Sequence, residues 1–225
     1  MATRFLLTNS GPAAVNPAFD GGWEQTGQAD RVRMLTKQDQ SSFQALANGT
    51  SITVPITTTQ DILCRQFVSD PYPATQWLGT VSLVIRVFEN ALTNNVTLAV
   101  VVKLCDQSGG NLRTLFSTFG TDTEFAASGS DATRIVNAQA LSTTTGQVGD
   151  RLVVEVGGHA TGPTAAGSYT MRFGNNAASD FALTSALTTD LNPWVEISQT
   201  LHEDRFNNYQ SIRADDGISV GDRVR

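Results

Sequence analysis

Apolar and polar residues alternate along most of the chain in short runs, and each run is bounded by residues that favour turns. Alternation with a period of two places successive side chains on opposite faces of a β-strand. No apolar stripe of helical period extends beyond two turns. The pattern predicts an all-β chain with strands at 4–9, 51–56, 62–68, 80–89, 96–105, 112–119, 133–141, 151–157, 168–174 and 194–198.

The run TVSLVIRVFE shows the clearest two-faced pattern. Val81, Leu83, Ile85 and Val87 share one face, which is predicted to be core. The connector ALTNN joins this run to VTLAVVVKLC, and a short Asn-rich connector between two strong strands predicts a hairpin. The residues DQSGGN at 106–111 predict a second turn.

Ten short strands with turns at regular intervals favour an antiparallel β-sandwich of the jelly-roll type, with a barrel as the second choice. The predicted domain covers residues 1–200. Within it, residues 10–50 carry few alternating positions, two prolines and a Gly-Gly pair. This segment is predicted to be largely irregular and to lie over the sandwich.

Residues 201–225 are predicted to form a C-terminal arm. Phe206, Tyr209 and Ile212 are spaced between charged and polar residues, so the segment has too little apolar surface to fold alone. An arm that orders on a neighbouring subunit is one interpretation, with these three residues as its contacts. A disordered or self-packed terminus is the other.

The net charge of −6 disfavours nucleic acid as a partner, because phosphates are neutralised by clustered Lys and Arg. The start of the chain lacks the pattern of a signal peptide, and no apolar run is long enough to cross a membrane. We therefore expect a chain made in a cytosol and not processed. Cys64 and Cys105 lie in apolar runs, which predicts two small buried side chains rather than a disulfide or metal ligands.

No arrangement of residues with a familiar catalytic or metal-binding spacing is present. His159, predicted to lie in a loop, and His202 have no suitable partners in the sequence. Asp122 and Glu124 are two residues apart and could serve as an acid/base pair, but such pairs occur often by chance. The prediction is a protein that is not an enzyme and needs no cofactor or metal.

A polar loop follows the strand at 168–174 and contains Asn175, Asn176, Ser179 and Asp180. Their oxygens could coordinate Ca²⁺ or hold a sugar, although Asn and Asp also close turns without any ligand. Only one of the four is charged, which disfavours a hard cation.

Aromatic residues provide a second possible binding surface. Tyr72 and Trp77 flank a turn-rich stretch, and Trp77 is expected to be partly exposed, so together they are predicted to form a surface pair. Trp194 precedes the alternating VEIS and is expected to point inward as a core anchor.

Four segments together resemble a group of virion-associated proteins of tailed bacteriophages and prophages, most of them uncharacterised. They are NPAFDGGWE (16–24), DILCRQFVSDP (61–71), GDRLVVEVGG (149–158) and NPWVEIS (192–198), in this order. The resemblance covers nearly all of residues 3–200 and implies a β-sandwich on the head or in the tail. It carries over no catalytic residues.

The predicted function is therefore that of a virion structural accessory protein, either a head decoration (cement) protein or a tail component. It is expected to be a homo-oligomer, to contact capsid or tail proteins, and to be assembled in the cytoplasm of a bacterial host. The alternative is a glycan-binding jelly-roll module for host adhesion, with the polar loop or the aromatic pair as its site. A polysaccharide-degrading enzyme is the third possibility.

Overall fold

A computed structural model describes residues 2–7, 11–26, 30–37, 50–127, 130–162, 167–174, 179–184, 187 and 191–201. All ten predicted strands are present, and three further strands, β2, β5 and β10, join them. None of the described elements is a helix long and apolar enough to cross a bilayer. The strands are β1 Thr3–Leu6, β2 Asp30–Thr36, β3 Thr50–Ile56, β4 Gln60–Pro71, β5 Gln76–Trp77, β6 Thr80–Glu89, β7 Val96–Cys105, β8 Arg113–Glu124, β9 Ala132–Ala140, β10 Thr144–Thr145, β11 Arg151–Ala160, β12 Gly167–Phe173 and β13 Trp194–Ile197.

The strands form two packed halves of one hydrogen-bonded network. The front sheet contains β3, β12, β6, β9, β13 and β1, and the back sheet contains β2, β4, β11, β7 and β8. Only two residue pairs, Phe5 with Thr36 and Leu6 with Leu35, join β1 to β2 at the corner between the sheets. The predicted all-β sandwich is confirmed. Of the pairs between these described strands, β2 with β4 is parallel and the others are antiparallel.

The main core fills the space between the two sheets. The predicted inward face of β6, namely Val81, Leu83, Ile85 and Val87, is fully buried in it. Alternate residues of β7 and β11 face the same core from the back sheet. The opposite faces of these two strands are buried as well, which explains their almost continuous apolar sequences.

The strap, residues 11–26, covers the outer face of the back sheet and contains no strand longer than an isolated bridge. This part of the predicted irregular segment is confirmed. Two apolar clusters join the strap to the sheet. The first has Trp23, Leu63, Ala99 and Val101 with Phe19 and Phe119, and the second has Val68, Cys105 and Val153 with Ala13 and Val15.

The prediction that residues 10–50 are largely irregular is wrong for β2. In DRVRMLT, Val32 and Met34 are buried and alternate with Arg31 and Arg33, so the residues have a strand pattern after all. The parallel ladder of β2 with β4 satisfies its backbone. Residues 38–49 lie outside the described residues.

The predicted β6–β7 hairpin is also wrong, because β6 belongs to the front sheet and β7 to the back sheet. The connector crosses between the sheets through a 3₁₀ turn at Leu92–Asn94. Instead of pairing with each other, β6 pairs with β9, and β7 pairs with β11. The predicted turn at 106–111 is confirmed, and it joins β7 to β8 as a hairpin.

Both cysteines are buried and free, as predicted. Burial raises the pKa of the Cys105 thiol to about 11 and raises that of Cys64 further. The neutral thiol is therefore the form that the fold accommodates at both positions.

Trp194 is buried, but the prediction that it points inward to the core is wrong, because the ring lies on the outer face of the front sheet. The buried ring packs with Leu6, Val84 and Phe181, and its Nε1–H donates to the Phe181 carbonyl at 2.7 Å. The guanidinium of Arg4 lies 3.9 Å from the ring centroid. The indole thus fixes the loop that contains Phe181 to the sheet.

Replacing Trp194 by Ala is expected to lower the free energy of unfolding by about 3–5 kcal/mol, because it removes a large buried ring and leaves a cavity. Urea denaturation followed by circular dichroism measures this change. A loss of less than about 1 kcal/mol would contradict the anchoring role.

Candidate interaction surfaces and buried polar sites

The predicted surface pair of Tyr72 and Trp77 does not lie at the surface. Both rings are fully buried and meet edge to face with centroids 5.5 Å apart. Residues 76–77 form β5, which pairs with β10 and covers the end of the core. A Cβ on Gly146 would lie 2.6 Å from Trp77 Nε1, so the backbone approaches the ring closely. The prediction of an exposed aromatic pair is therefore wrong, and these rings cap the core.

Two of the four residues of the predicted polar ligand loop, Asn175 and Asn176, lie outside the described residues. Asp180 accepts hydrogen bonds through Oδ2 from Arg4 at 3.0 Å and Lys37 at 2.7 Å. Burial by itself raises the pKa of Asp180, but the two cations outweigh burial and hold it below the usual value. Asp180 thus attaches the loop to β1 through Arg4, and a ligand at this loop remains a prediction.

The buried carboxylate of Glu155 is the centre of the contact between the strap and the back sheet. Its Oε2 accepts from the Trp23 Nε1–H at 2.6 Å and the Asp20 backbone N–H at 3.1 Å. Its Oε1 accepts from the Gln66 side-chain amide at 2.8 Å and lies 2.5 Å from Lys103 Nζ. Donors from the strap, β4 and β7 therefore surround this β11 side chain.

Lys103 closes the same network from the other side. Its buried Nζ also donates to the Ala18 carbonyl of the strap at 2.8 Å.

Close packing at Gly157 also holds the strap against the back sheet. A Cβ on Gly157 would lie 2.1 Å from the Ile62 carbonyl oxygen and 2.7 Å from Trp23 Cζ3. Glycine is required here because the strap ring and the β4 backbone both approach β11 too closely for a side chain.

Removing the indole N–H by Trp23→Phe leaves part of a buried carboxylate without a donor. We expect a loss of about 1.5–3 kcal/mol in the free energy of unfolding, in the range for hydrogen bonds to charged groups. Urea denaturation measures it, and faster amide exchange at residues 16–24 would report loosening of the strap.

The matched control is Trp194→Phe, which removes an indole donor to a neutral carbonyl. Its expected loss is smaller, about 0.5–1.5 kcal/mol. Equal losses in the two variants would show that the charge of Glu155 does not determine the strap contact.

A second buried carboxyl, Glu89, ends β6 where the chain crosses between the sheets. Its Oε2 accepts from the Val96 backbone N–H at 3.0 Å, and its Oε1 is buried without a hydrogen-bond donor. Burial and the neighbouring carboxyl of Glu124 raise the pKa of Glu89 to about 7, although Val96 and Arg134 act in the lowering direction. Protonation of Glu89 removes the negative charge from this buried site.

The raised pKa of Glu89 means that the folded state favours its protonated form. The stability contribution of this group is fully present below its usual pKa of 4.5 and is lost as pH rises through about 7. Relative to Glu89→Gln, the wild-type chain is expected to lose about 1 kcal/mol or more between pH 5 and pH 8. Urea denaturation across this pH range measures the difference.

Because the wild-type chain is compared with Glu89→Gln, the pH-dependent contributions of other groups cancel. One such group is Asp180, whose lowered pKa changes the stability with pH in the opposite direction. Glu124→Gln removes the neighbouring charge, which should lower the pKa of Glu89 toward its usual value. The free energy of unfolding of this variant should therefore depend less on pH than that of the wild-type chain. A pH-independent difference between the wild-type chain and Glu89→Gln would contradict the carboxyl pair.

His159 was predicted to lie in a loop, but it belongs to β11. Its Nδ1 lies 2.7 Å from Asp61 Oδ1, across the ladder with β4. Of the predicted acid/base pair, Glu124 instead neighbours Glu89, and the Asp122 side chain lies outside the described part of the structure. Within the described ranges, no group of three or more His, Cys, Asp or Glu residues is placed to hold a metal ion.

Three exposed apolar side chains lie at the end of the sandwich where the described chain stops. Leu78, Leu112 and Val148 are 41%, 39% and 61% exposed. Arg113 joins the segments of Leu112 and Val148, because it donates to the Thr145 carbonyl at 3.1 Å and pairs with Asp150 at 2.8 Å.

The same end, called the exit end, also holds the last described residues. Leu78 N–H donates to Gln199 Oε1 at 3.2 Å, and Leu201 N–H donates to Thr3 Oγ1 at 2.7 Å. The last described residues therefore lie beside Leu78.

No protein-family model matches the chain, and no curated protein sequence matches it. Among solved structures, it is similar to a CocE/NonD family hydrolase from Staphylococcus aureus, with 10% identity and a TM-score of 0.46 over 88% of this chain and 36% of the hydrolase. It is also similar to VP2 of the infectious bursal disease virus subviral particle, with 13% identity and a TM-score of 0.25 over 75% of this chain and 49% of VP2. A third similarity is to Eiger TNF from S. frugiperda, with 9% identity and a TM-score of 0.27 over 70% of this chain and 96% of Eiger.

The chain thus spans about a third of the length of the hydrolase and about half of VP2. These structural neighbours include a viral capsid protein, and the low identities and TM-scores assign no activity, ligand or partner to this chain. The prediction that the chain is not an enzyme is nevertheless contradicted, because a hydrolase is among the similar structures. Missing sequence motifs do not exclude a catalytic site made from dispersed residues, and we withdraw that exclusion.

Proposed function

We propose that the chain is a structural accessory protein of a tailed-bacteriophage virion, either a head decoration protein or a tail component. The observation that carries this proposal is the exit end. Three exposed apolar side chains from three segments lie at this end of the sandwich, and one of them, Leu78, is beside the last described residues. A single contact through a small apolar surface is weak. On a symmetric particle the same contact is repeated many times, so the overall binding is strong.

The resemblance to phage virion-associated proteins supports the same proposal. Residues 16–24, 61–71 and 149–158 supply Trp23, Gln66 and Glu155, which meet in one buried network. The fourth segment, 192–198, contains the anchor Trp194. The four motifs thus contain residues that make buried contacts in this sandwich.

The proposal divides the chain into a sandwich through residue 200 and an arm of residues 201–225. Phe206, Tyr209 and Ile212 would contact a neighbouring copy or another virion protein, together with the exit end. All three lie outside the described residues. The protein would be a homo-oligomer assembled onto particles in the cytoplasm of the bacterial host.

Quantitative mass spectrometry of purified virions tests the proposal. The expected result is a constant ratio of this chain to the major capsid protein. A ratio near one, or a simple fraction of it, indicates a head decoration protein, whereas a few copies per particle indicate the tail. Absence of the chain from purified virions would refute the proposal.

The contact surface is tested by the triple variant Leu78→Ser, Leu112→Ser and Val148→Ser, which should lower incorporation into virions by about tenfold. Each buried apolar side chain contributes on the order of 1 kcal/mol or more, and about 1.4 kcal/mol corresponds to tenfold. Deleting residues 202–225 should lower incorporation as well. Leu92→Ser is the control, since Leu92 is 61% exposed at the opposite end. Equal incorporation of all these chains would refute a role for the exit end.

A further inference from the structure

An open cleft of about 470 Å³ lies where the edges of the two sheets approach each other. One wall is β8, which has β7 as its ladder partner, and the other is β9, which has β6. The size falls in the range of small-molecule sites in proteins. The lining residues are Phe116, Ser117, Thr118, Gly120 and Thr123 from β8 and Ile135, Val136, Asn137 and Gln139 from β9.

Both walls have an irregular backbone at the cleft. In β9, Val136 and Gln139 pair with Leu83 and Val81, so Asn137 and Ala138 face the single residue between them. Ala138 has a φ of 47° and donates its N–H to Ser82 Oγ at 2.9 Å. An alanine in the left-handed region is strained, and such strain persists where the surroundings enforce it.

The ladder between β8 and β7 is interrupted as well. Phe119 and Glu124 pair with Ala99 and Thr97, so four residues of β8 face one residue of β7. Gly120 in this stretch has a φ of 96°. Bulges of this kind change the direction of side chains and disfavour the addition of another strand to an edge. The cleft is therefore suited to a ligand held by side chains rather than to an extended peptide.

The cleft lining is rich in neutral polar groups. Ser117, Thr118, Thr123, Asn137 and Gln139 provide hydroxyl and amide groups, and hydroxyls and amides can both donate and accept hydrogen bonds. None of the lining side chains that the structure describes is charged, which disfavours phosphate or carboxylate ligands because these are usually recognised by cations.

Two features prepare these groups for a ligand. The Gln139 side-chain amide donates to the Asn137 carbonyl at 2.9 Å, and Thr118 Oγ1 donates to the Gly120 carbonyl at 3.1 Å. Both bonds leave the acceptor oxygens of these side chains available. Phe116 and Ile135 are half-buried and add apolar surface for the C–H face of a sugar ring.

We propose that the cleft between β8 and β9 binds a short segment of a neutral carbohydrate. Asn137 and Gln139 hydrogen-bond the sugar hydroxyls, and Phe116 packs against the ring. This site is separate from the exit end, and it replaces Tyr72 and Trp77, which are buried. The proposal does not depend on the virion role.

The test is titration of the ¹⁵N-labelled full chain with maltotriose, cellotriose and chitotriose at millimolar concentrations. At least one of these sugars is expected to shift backbone amide signals of residues 116–123 and 135–139. The variants Asn137→Ala and Gln139→Ala should each raise the dissociation constant about tenfold, which is the effect of losing one or two well-placed hydrogen bonds. Gln76→Ala, at an exposed site in β5, is the matched control and should bind like the wild type.

Four outcomes overturn the proposal. The first three are the absence of amide shifts with all three sugars, shifts that map outside the cleft, and unchanged affinity in both cleft variants. The fourth is binding of a synthetic peptide of residues 202–225 to the β8–β9 edges, which would assign the cleft to a strand instead. Melting temperatures within a few degrees of the wild type confirm that the variants are folded.

Discussion

The structure depends on satisfying one buried charge, the carboxylate of Glu155. A carboxylate removed from water is tolerated only when donors replace the lost hydration. Four donors meet this requirement, and they come from Asp20, Trp23, Gln66 and Lys103. Because these residues are far apart in the chain, their meeting fixes the strap, β4, β7 and β11 relative to one another. We infer that the network selects this arrangement over alternative packings more than it adds net stability.

Much of the sandwich could be predicted from local alternation, because a half-buried strand shows its period directly in the sequence. The pairing of strands could not. β2 pairs in parallel with β4, and local pattern does not indicate such a long-range ladder. The short connector between β6 and β7 is typical of a hairpin, yet the chain crosses between the sheets, and β6 pairs with β9 while β7 pairs with β11.

The buried polar sites left a weak signal in the sequence. Glu155 interrupts the apolar run RLVVEVGG, and Glu89 ends the apolar run TVSLVIRVFE. A single acidic residue in a strand with two apolar faces indicates a buried partner, but the sequence does not name that partner. For Tyr72 and Trp77 the turn-rich surroundings were misleading, because the small sheet of β5 and β10 that covers them depends on a pairing across about 70 residues.

The antiparallel pairing of β1 with β13 has a consequence for synthesis. Thr3 lies opposite Ile197, so the first strand completes the front sheet only after almost two hundred residues have been made. At synthesis rates of about 5–20 residues per second, β1 waits roughly 10–40 s on the ribosome with its apolar side chains unpaired. The corner strand β2 and the ladder of β4, β11 and β7 can form earlier. The back sheet is therefore the natural template on which the front sheet closes, and the order of translation becomes an order of assembly.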